Sequence, residues 1–154
     1  MTVEVARRHY MPDALTMFGE DIALTATGYV QDEDDADVVI RLGAGRNDVS
    51  LVIDITAMDV LTNDELYTFR IIGANAEAFT GNVAVLATLQ VGAEAALWPE
   101  ASGSLAAADD ATGRWVVGFS NSRGSVEYQY VKLHVTVTAA GSAITFTAFI
   151  TRPE

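Results

Sequence analysis

The sequence predicts an all-β domain, built as a β-sandwich, jelly roll or barrel. Three observations predict it. Roughly six to eight short runs rich in Val, Ile, Thr and aromatic residues recur along the chain, with Gly, Asn, Asp and Ser clustered between them. Strands do not alternate with helical segments, which disfavours a parallel α/β fold. The length of 154 residues suits one domain, and 50% of the residues are apolar, enough to build a core.

Taken in order, residues 1–37 read as an extended N-terminal arm ending in an acidic loop, and residues 38–154 as the sandwich. In the arm Met11, Leu15, Met17, Phe18, Ile22 and Leu24 follow no sustained period. One short strand is expected there, at 22–27. Asp32, Glu33, Asp34, Asp35 and Asp37 form a solvated acidic run. Gly43 and Gly45 mark a tight turn. The stretch 49–55, VSLVIDI, is nearly continuous in β-branched residues, as a buried strand would be. The stretch 65–72 alternates, with Tyr67, Phe69 and Ile71 on one face.

Residues 73–81 read as a loop. The next strand, 83–91, is expected to place Val83, Val85, Ala87, Leu89 and Val91 on one face; its Ala and Leu leave a helix as the alternative. Residues 92–113, which contain Trp98-Pro99, read as a long loop, and loops of that length are often functional. A short strand at 115–119 and a turn at 121–124 lead to the clearest strand, 127–137. There Val131, Leu133, Val135 and Val137 share one face, and Tyr128, Tyr130, Lys132, His134 and Thr136 the other. A turn at 139–142 precedes a last alternating strand carrying Ile144, Phe146, Ala148 and Ile150.

The search for chemistry finds near-motifs that each fail at a named residue. The run from Gly43 to Asp48 begins like a dinucleotide fingerprint, but Asp48 stands where a third Gly is needed and a strand follows instead of a helix. The run from Gly118 to Ser122 misses the nucleophile elbow because Ser122 replaces its last Gly. His9 and His134 are the only histidines and lack partners at ligand spacing; there is no Cys. The acidic run lacks the Gly and terminal Glu of an EF-hand loop. We therefore expect no catalytic residue, no cofactor and no metal.

The charge balance excludes another class. One Lys and eight Arg face twenty-one acids, giving a net charge of −12, and the only adjacent basic pair is Arg7–Arg8. A phosphate-binding surface needs clustered cations, so no nucleic-acid partner is expected. No stretch approaches the roughly 18 apolar residues of a membrane span, and the N-terminus has no apolar signal region. No membrane partner is expected either. Tyr128 and Tyr130, opposite the apolar stripe of their strand, are candidates for a protein interface.

Several runs, taken in order, resemble the capsid cement (decoration) proteins of tailed bacteriophages. They are Arg41-Leu42-Gly43-Ala44-Gly45-Arg46, Val52-Ile53-Asp54-Ile55-Thr56-Ala57, Asp64-Glu65 leading to Tyr67-Thr68, and Ile72-Gly73-Ala74-Asn75. The second half adds Gly113-Arg114-Trp115, Phe119-Ser120-Asn121, Tyr130-Val131-Lys132-Leu133-His134-Val135 and Ile144-Thr145-Phe146-Thr147-Ala148-Phe149. The resemblance covers about residues 38–151 and departs from the family mainly in the 92–113 loop.

It implies a jelly-roll-like antiparallel β-sandwich, made in the bacterial host cytoplasm and bound to the exterior of the virion's capsid. The implied partners are the major capsid protein and copies of itself, as a dimer or trimer at symmetry axes. Such a protein staples its neighbours and has no catalytic residues. The candidate contacts are Arg7, Arg8, Tyr10 and Phe18 of the arm, Trp98 of the long loop, and Tyr128 and Tyr130. On this reading, deleting residues 2–20 should leave a folded, soluble domain that no longer decorates capsids. The alternative function is a tail, head-fibre or receptor-binding β-domain, with Trp98 as its ligand contact. The third class, an enzyme such as a small β-fold hydrolase or cupin, lacks the His cluster or carboxylate pair that such chemistry wants, and Ser120→Ala or His134→Ala should change only stability.

Overall fold

The structure, a computed structural model, describes residues 16–61, 64–92, 104–108, 112–139 and 142–152, with 104–108 described by backbone alone. Its strands are β1 (Met17–Leu24), β2 (Gly28–Tyr29), β3 (Ile40–Arg41), β4 (Asp48–Met58), β5 (Leu66–Ala74), β6 (Val83–Gly92), β7 (Ser104–Ala108), β8 (Gly113–Ser120), β9 (Ser122–Arg123), β10 (Val126–Glu127), β11 (Tyr130–Thr138) and β12 (Ile144–Thr151). No helix of eight or more residues forms among the described residues, so the expected strand at 83–91 is a strand.

The strands form two main sheets. One has four strands in the order β1-β12-β4-β8; the other runs β2-β11-β5-β6-β7, with β3 also on β11. The first long strand thus pairs with the last, and the chain passes repeatedly between sheets, as in a jelly roll. Every main pairing is antiparallel except β6 with β7, which is parallel. The expected loop at 92–113 therefore contains a strand.

The core lies between the sheets and follows the period of two. Leu51 and Ile53 of β4, Phe69 and Ile71 of β5, Leu133 and Val135 of β11, and Phe146 of β12 are all fully buried. Burying each such side chain contributes about 1.5–3 kcal/mol. Phe69 and Phe146 meet edge to face across the two sheets, with centroids 4.9 Å apart.

Three departures from the expected strands have local causes. The first is β1, which begins at Met17 where a strand at 22–27 was expected. Two register shifts, between Met17 and Gly19 and between Gly19 and Ile22, break its alternation and hide the period. Phe18 is 3% exposed and belongs to the core, so residues 17–24 are part of the sandwich.

The second is the split of the 127–137 strand into β10 and β11. The Tyr128 N–H donates to the Asn121 carbonyl (2.8 Å), and the Leu42 N–H donates to the Gln129 carbonyl (2.7 Å). Residues 128 and 129 thus leave the ladder, and Tyr128 turns into the core.

The third is a bulge. Ile71 pairs with Ala87, but Ile72 pairs with Val85, so Leu86 is the extra residue. Ala87, Leu89 and Val91 face the core; Val83 and Val85 face outward. Gly73 makes this possible, because a Cβ there would lie 2.6 Å from Leu86 Cδ1 and 2.9 Å from Tyr128 Cβ.

Asn121 ties the turn at 43–47 to the core. It is fully buried. Its Oδ1 accepts from the Asn47 N–H (2.6 Å), and its Nδ2 donates to the carbonyls of Gly45 (3.0 Å) and Tyr128 (3.2 Å). Gly43 and Gly45 adopt φ of 93° and 85°, as the expected tight turn requires.

Candidate functional site

The bulge in β6 creates an apolar surface that stands out among the described residues. Among the described residues only Leu61, Val83 and Val85 are large apolar side chains that stand exposed; Val83 is 47% and Val85 40% exposed. Val83 and Val85 lie on the outer face of the sheet that holds β5 and β11. Register continues the surface across the sheet: Val85 pairs with Ile72, and Ile72 with Lys132; Val83 pairs with Ala74, and Ala74 with Tyr130. Ile72 and Tyr130 are half-buried. At the other end of the same face Thr68, Thr88 and Gln90 are buried, so the exposed part is confined to the bulge end.

Lys132, the chain's only lysine, organises the middle of this face. Its ammonium sits 4.3 Å from the centroid of Phe79 and 5.1 Å from that of Tyr29, and bonds Asp37 at 3.1 Å. Phe79 reaches this position from the loop after β5 with φ of 53°, a left-handed conformation that costs a non-glycine residue about 1–2 kcal/mol. His134 stands beside them, its ring edge-on to Tyr29 at 4.9 Å. Burial, and then the neighbouring charge of Arg70, hold the His134 imidazole below its ordinary pKa.

The acidic run borders this face as an ordered turn. Asp32 Oδ1 accepts from the Asp34 and Ala36 N–H groups (2.9 and 3.0 Å), and the Asp32 N–H donates to the Ala36 carbonyl (2.8 Å). Asp32 through Asp35 remain exposed. Among the described residues, no three His, Asp or Glu side chains gather as a metal site.

Leu61 marks a second, shallower surface. It is 87% exposed and borders an open depression of about 420 Å³ with Met58, Val60 and Ala143. The buried Tyr67 hydroxyl fixes the rim by reaching the carbonyls of Asp59 (2.7 Å) and Ala143 (3.1 Å). Burial is the main cause that raises the Tyr67 pKa.

The sequence-derived candidates separate accordingly. Arg7, Arg8, Tyr10 and Trp98 lie outside the described residues. Phe18 and Tyr128 are core side chains, 3% and 7% exposed, and offer no free surface. Tyr130 lies on the outer face with Lys132 and His134. Ser120 and His134 point to opposite outer faces of the sandwich, and Ser120 Oγ accepts from the Ser122 N–H (3.2 Å) within its turn. Sequence reasoning missed Val83, Val85 and Phe79. The signal for the two valines was Gly73, since a glycine within a strand pattern often marks a bulge.

No protein-family model matches the sequence, and no curated protein matches it. A solved structure similar to part of the fold contains the N-terminal CBM22-1 and GH10 modules of endo-1,4-β-D-xylanase 10B from Clostridium thermocellum, complexed with xylohexaose. It is 11% identical, with a TM-score of 0.36, over 80% of this chain and 21% of that one. The chain thus spans about a fifth of that structure's length.

Proposed function

We propose that this protein decorates the outside of a tailed-phage capsid and bridges major capsid proteins, and that the outer face around Val83 and Val85 holds them. The observation that carries this reading is that apolar strip: two exposed valines in register with Ile72, Ala74 and Tyr130, on the outer face of one sheet of an otherwise acidic protein. Apolar and aromatic side chains grouped on a surface are what a protein interface uses. The ordered runs between residues 38 and 151 that resemble cement proteins supply the class of partner. A decoration protein works by adhesion, and many weak contacts on one shell add up through multivalency.

The test is co-sedimentation with heads of the parent phage prepared without the protein. The wild-type protein should bind at a copy number matching capsid symmetry and raise the heat resistance of the heads. Val83→Asp with Val85→Asp should abolish retention while the circular dichroism spectrum stays that of a folded β-protein. Retention of the double variant at wild-type occupancy would refute this use of the face. Glycan binding by the isolated protein, with no binding to heads, would refute the capsid role.

A further inference from the structure

We infer that two copies of this chain pair edge to edge through β8, antiparallel about a two-fold axis at Val116, and join their four-stranded sheets into one continuous sheet. The inference is independent of the capsid reading, and it leaves Val83 and Val85 free because they lie on the other sheet. The direction of the backbone groups carries it. The Asn121 N–H donates to the Asn47 carbonyl (3.1 Å), one pair beyond Asp48 and Ser120 in the β4–β8 ladder. Hydrogen-bonded pairs alternate along an antiparallel ladder. Phe119, Val117, Trp115 and Gly113 therefore turn their N–H and C=O groups to β4, and Ser120, Gly118, Val116 and Arg114 turn theirs away. Among the described residues, no strand pairs with β8 on that side.

The other edges are blunted or short. Strand β1 has two register shifts and exposes Glu20 and Asp21. Strands β2 and β3 have two residues each, and β7 has five. Such devices keep an edge from pairing. Strand β8 has none of them: its eight residues hold register with β4 without a shift and include no Pro, Lys or acid. Its one charged side chain, Arg114, leans inward, bonding Asp54 at 2.6 and 2.7 Å with its guanidinium 5.8 Å from the Phe149 centroid. Gly118 is the second observation. A glycine inside a strand weakens it and marks a bulge, a bend or the close approach of another backbone. Here there is no bulge, φ lies outside the left-handed region, and no atom of the described residues comes within 4 Å of a Cβ built there. Pairing about Val116 sets Gly118 against Arg114 of the second copy, where it leaves the edge flat. On the outer face Phe149, Val52 and Val116 stand in register, and Val116 of the second copy extends that apolar row. Trp115 then meets Val117, no like charges oppose, and Arg114, Val116 and Gly118 exchange about six N–H···O bonds.

Sedimentation equilibrium of the full-length protein over a concentration series tests the pairing. Wild type should reach twice the 16.4 kDa chain mass. Gly118→Pro removes an N–H that β4 does not use, and Val116→Lys sets two like charges together at the axis. Each should raise the dimer Kd at least about tenfold, with the circular dichroism spectrum still that of a folded β-protein. The chain has no Cys, so single cysteines give a second reading that does not depend on those variants. On oxidation Val116→Cys should form a disulfide-linked dimer, because the two copies bring that position within bridging distance. Ser50→Cys, one strand inward on the same face, should not. A wild type that stays monomeric or forms trimers would overturn the inference. So would a dimer whose Kd neither variant changes, or cross-linking of Ser50→Cys as complete as that of Val116→Cys.

Discussion

Gly73→Ala tests the device that turns Val83 and Val85 outward. The new methyl would lie 2.6 Å from Leu86 Cδ1 and 2.9 Å from Tyr128 Cβ, well inside the roughly 3.5–4.0 Å of a carbon–carbon contact. Leu86 is 3% exposed and Tyr128 7%, so neither has open space to move into. The leucine tip can rotate, but the tyrosine Cβ moves only with its backbone, which Asn121 holds from two sides through the Tyr128 N–H and carbonyl. Overpacking of this kind costs about 1–3 kcal/mol. At about 2–4 °C per kcal/mol for a domain of this size, Tm should fall by about 2–12 °C.

The assay is urea denaturation of a double-mutant cycle with Leu86→Ala. Alone, Leu86→Ala should cost about 2–5 kcal/mol. In the Gly73→Ala background it should cost at least about 1 kcal/mol less, because it removes one of the two clashes. A Gly73→Ala protein within about 0.5 kcal/mol of wild type, or a strictly additive cycle, would refute the claim that Gly73 accommodates the bulge.

Three further outcomes are expected. Asn121→Ala removes three hydrogen bonds from a fully buried amide and should lower stability by about 3 kcal/mol in urea titration; a loss under about 1 kcal/mol would contradict its role as the tie between the turn and the core. Phe18→Ala, or deletion of residues 2–20, should destabilise by about 3–5 kcal/mol, because Phe18 is a core residue on β1; a truncated protein as stable as wild type would restore the view of residues 17–20 as a dispensable arm. His134 has a folded-state pKa below the ordinary 6.5. Between those two values the unfolded chain binds more protons, so stability from the neutral ring is present above about pH 6.5 and is lost as pH falls through the folded pKa. Replacing it with Gln should therefore flatten the acid side of the stability profile, whereas a constant offset from wild type across that range would contradict the shift.

The all-β sandwich was legible because its strands obey a period of two wherever they are regular. The stretch from Val49 to Ile55 and that from Ile144 to Ile150 read directly, since each pairs over its length with few interruptions. The reading failed where backbone hydrogen bonds override side-chain pattern. In β1 two shifts scramble the apolar positions, so Phe18 looked like a free contact. At Tyr128 and Gln129 the ladder is interrupted by Asn121 and Leu42, partners that lie 7 and 87 residues away and leave no trace in the alternation. In β6 the alternation Val83, Val85, Ala87 is uniform in sequence, yet one inserted residue reverses the first two. The candidate surface is thus the product of a bulge, and only Gly73 announced it. Phe79 was less legible still, because its position over Lys132 depends on a left-handed backbone that an aromatic side chain does not advertise.

The most direct test of the account is a cryo-electron microscopy comparison of heads with and without the protein, added as wild type and as the Val83→Asp, Val85→Asp variant. The account predicts added density on the outer surface of wild-type-treated heads, with the sheet of β5, β6 and β11 turned toward the shell and the density absent with the variant. Density in which Val83 and Val85 face solvent, or equal density with both proteins, would contradict it.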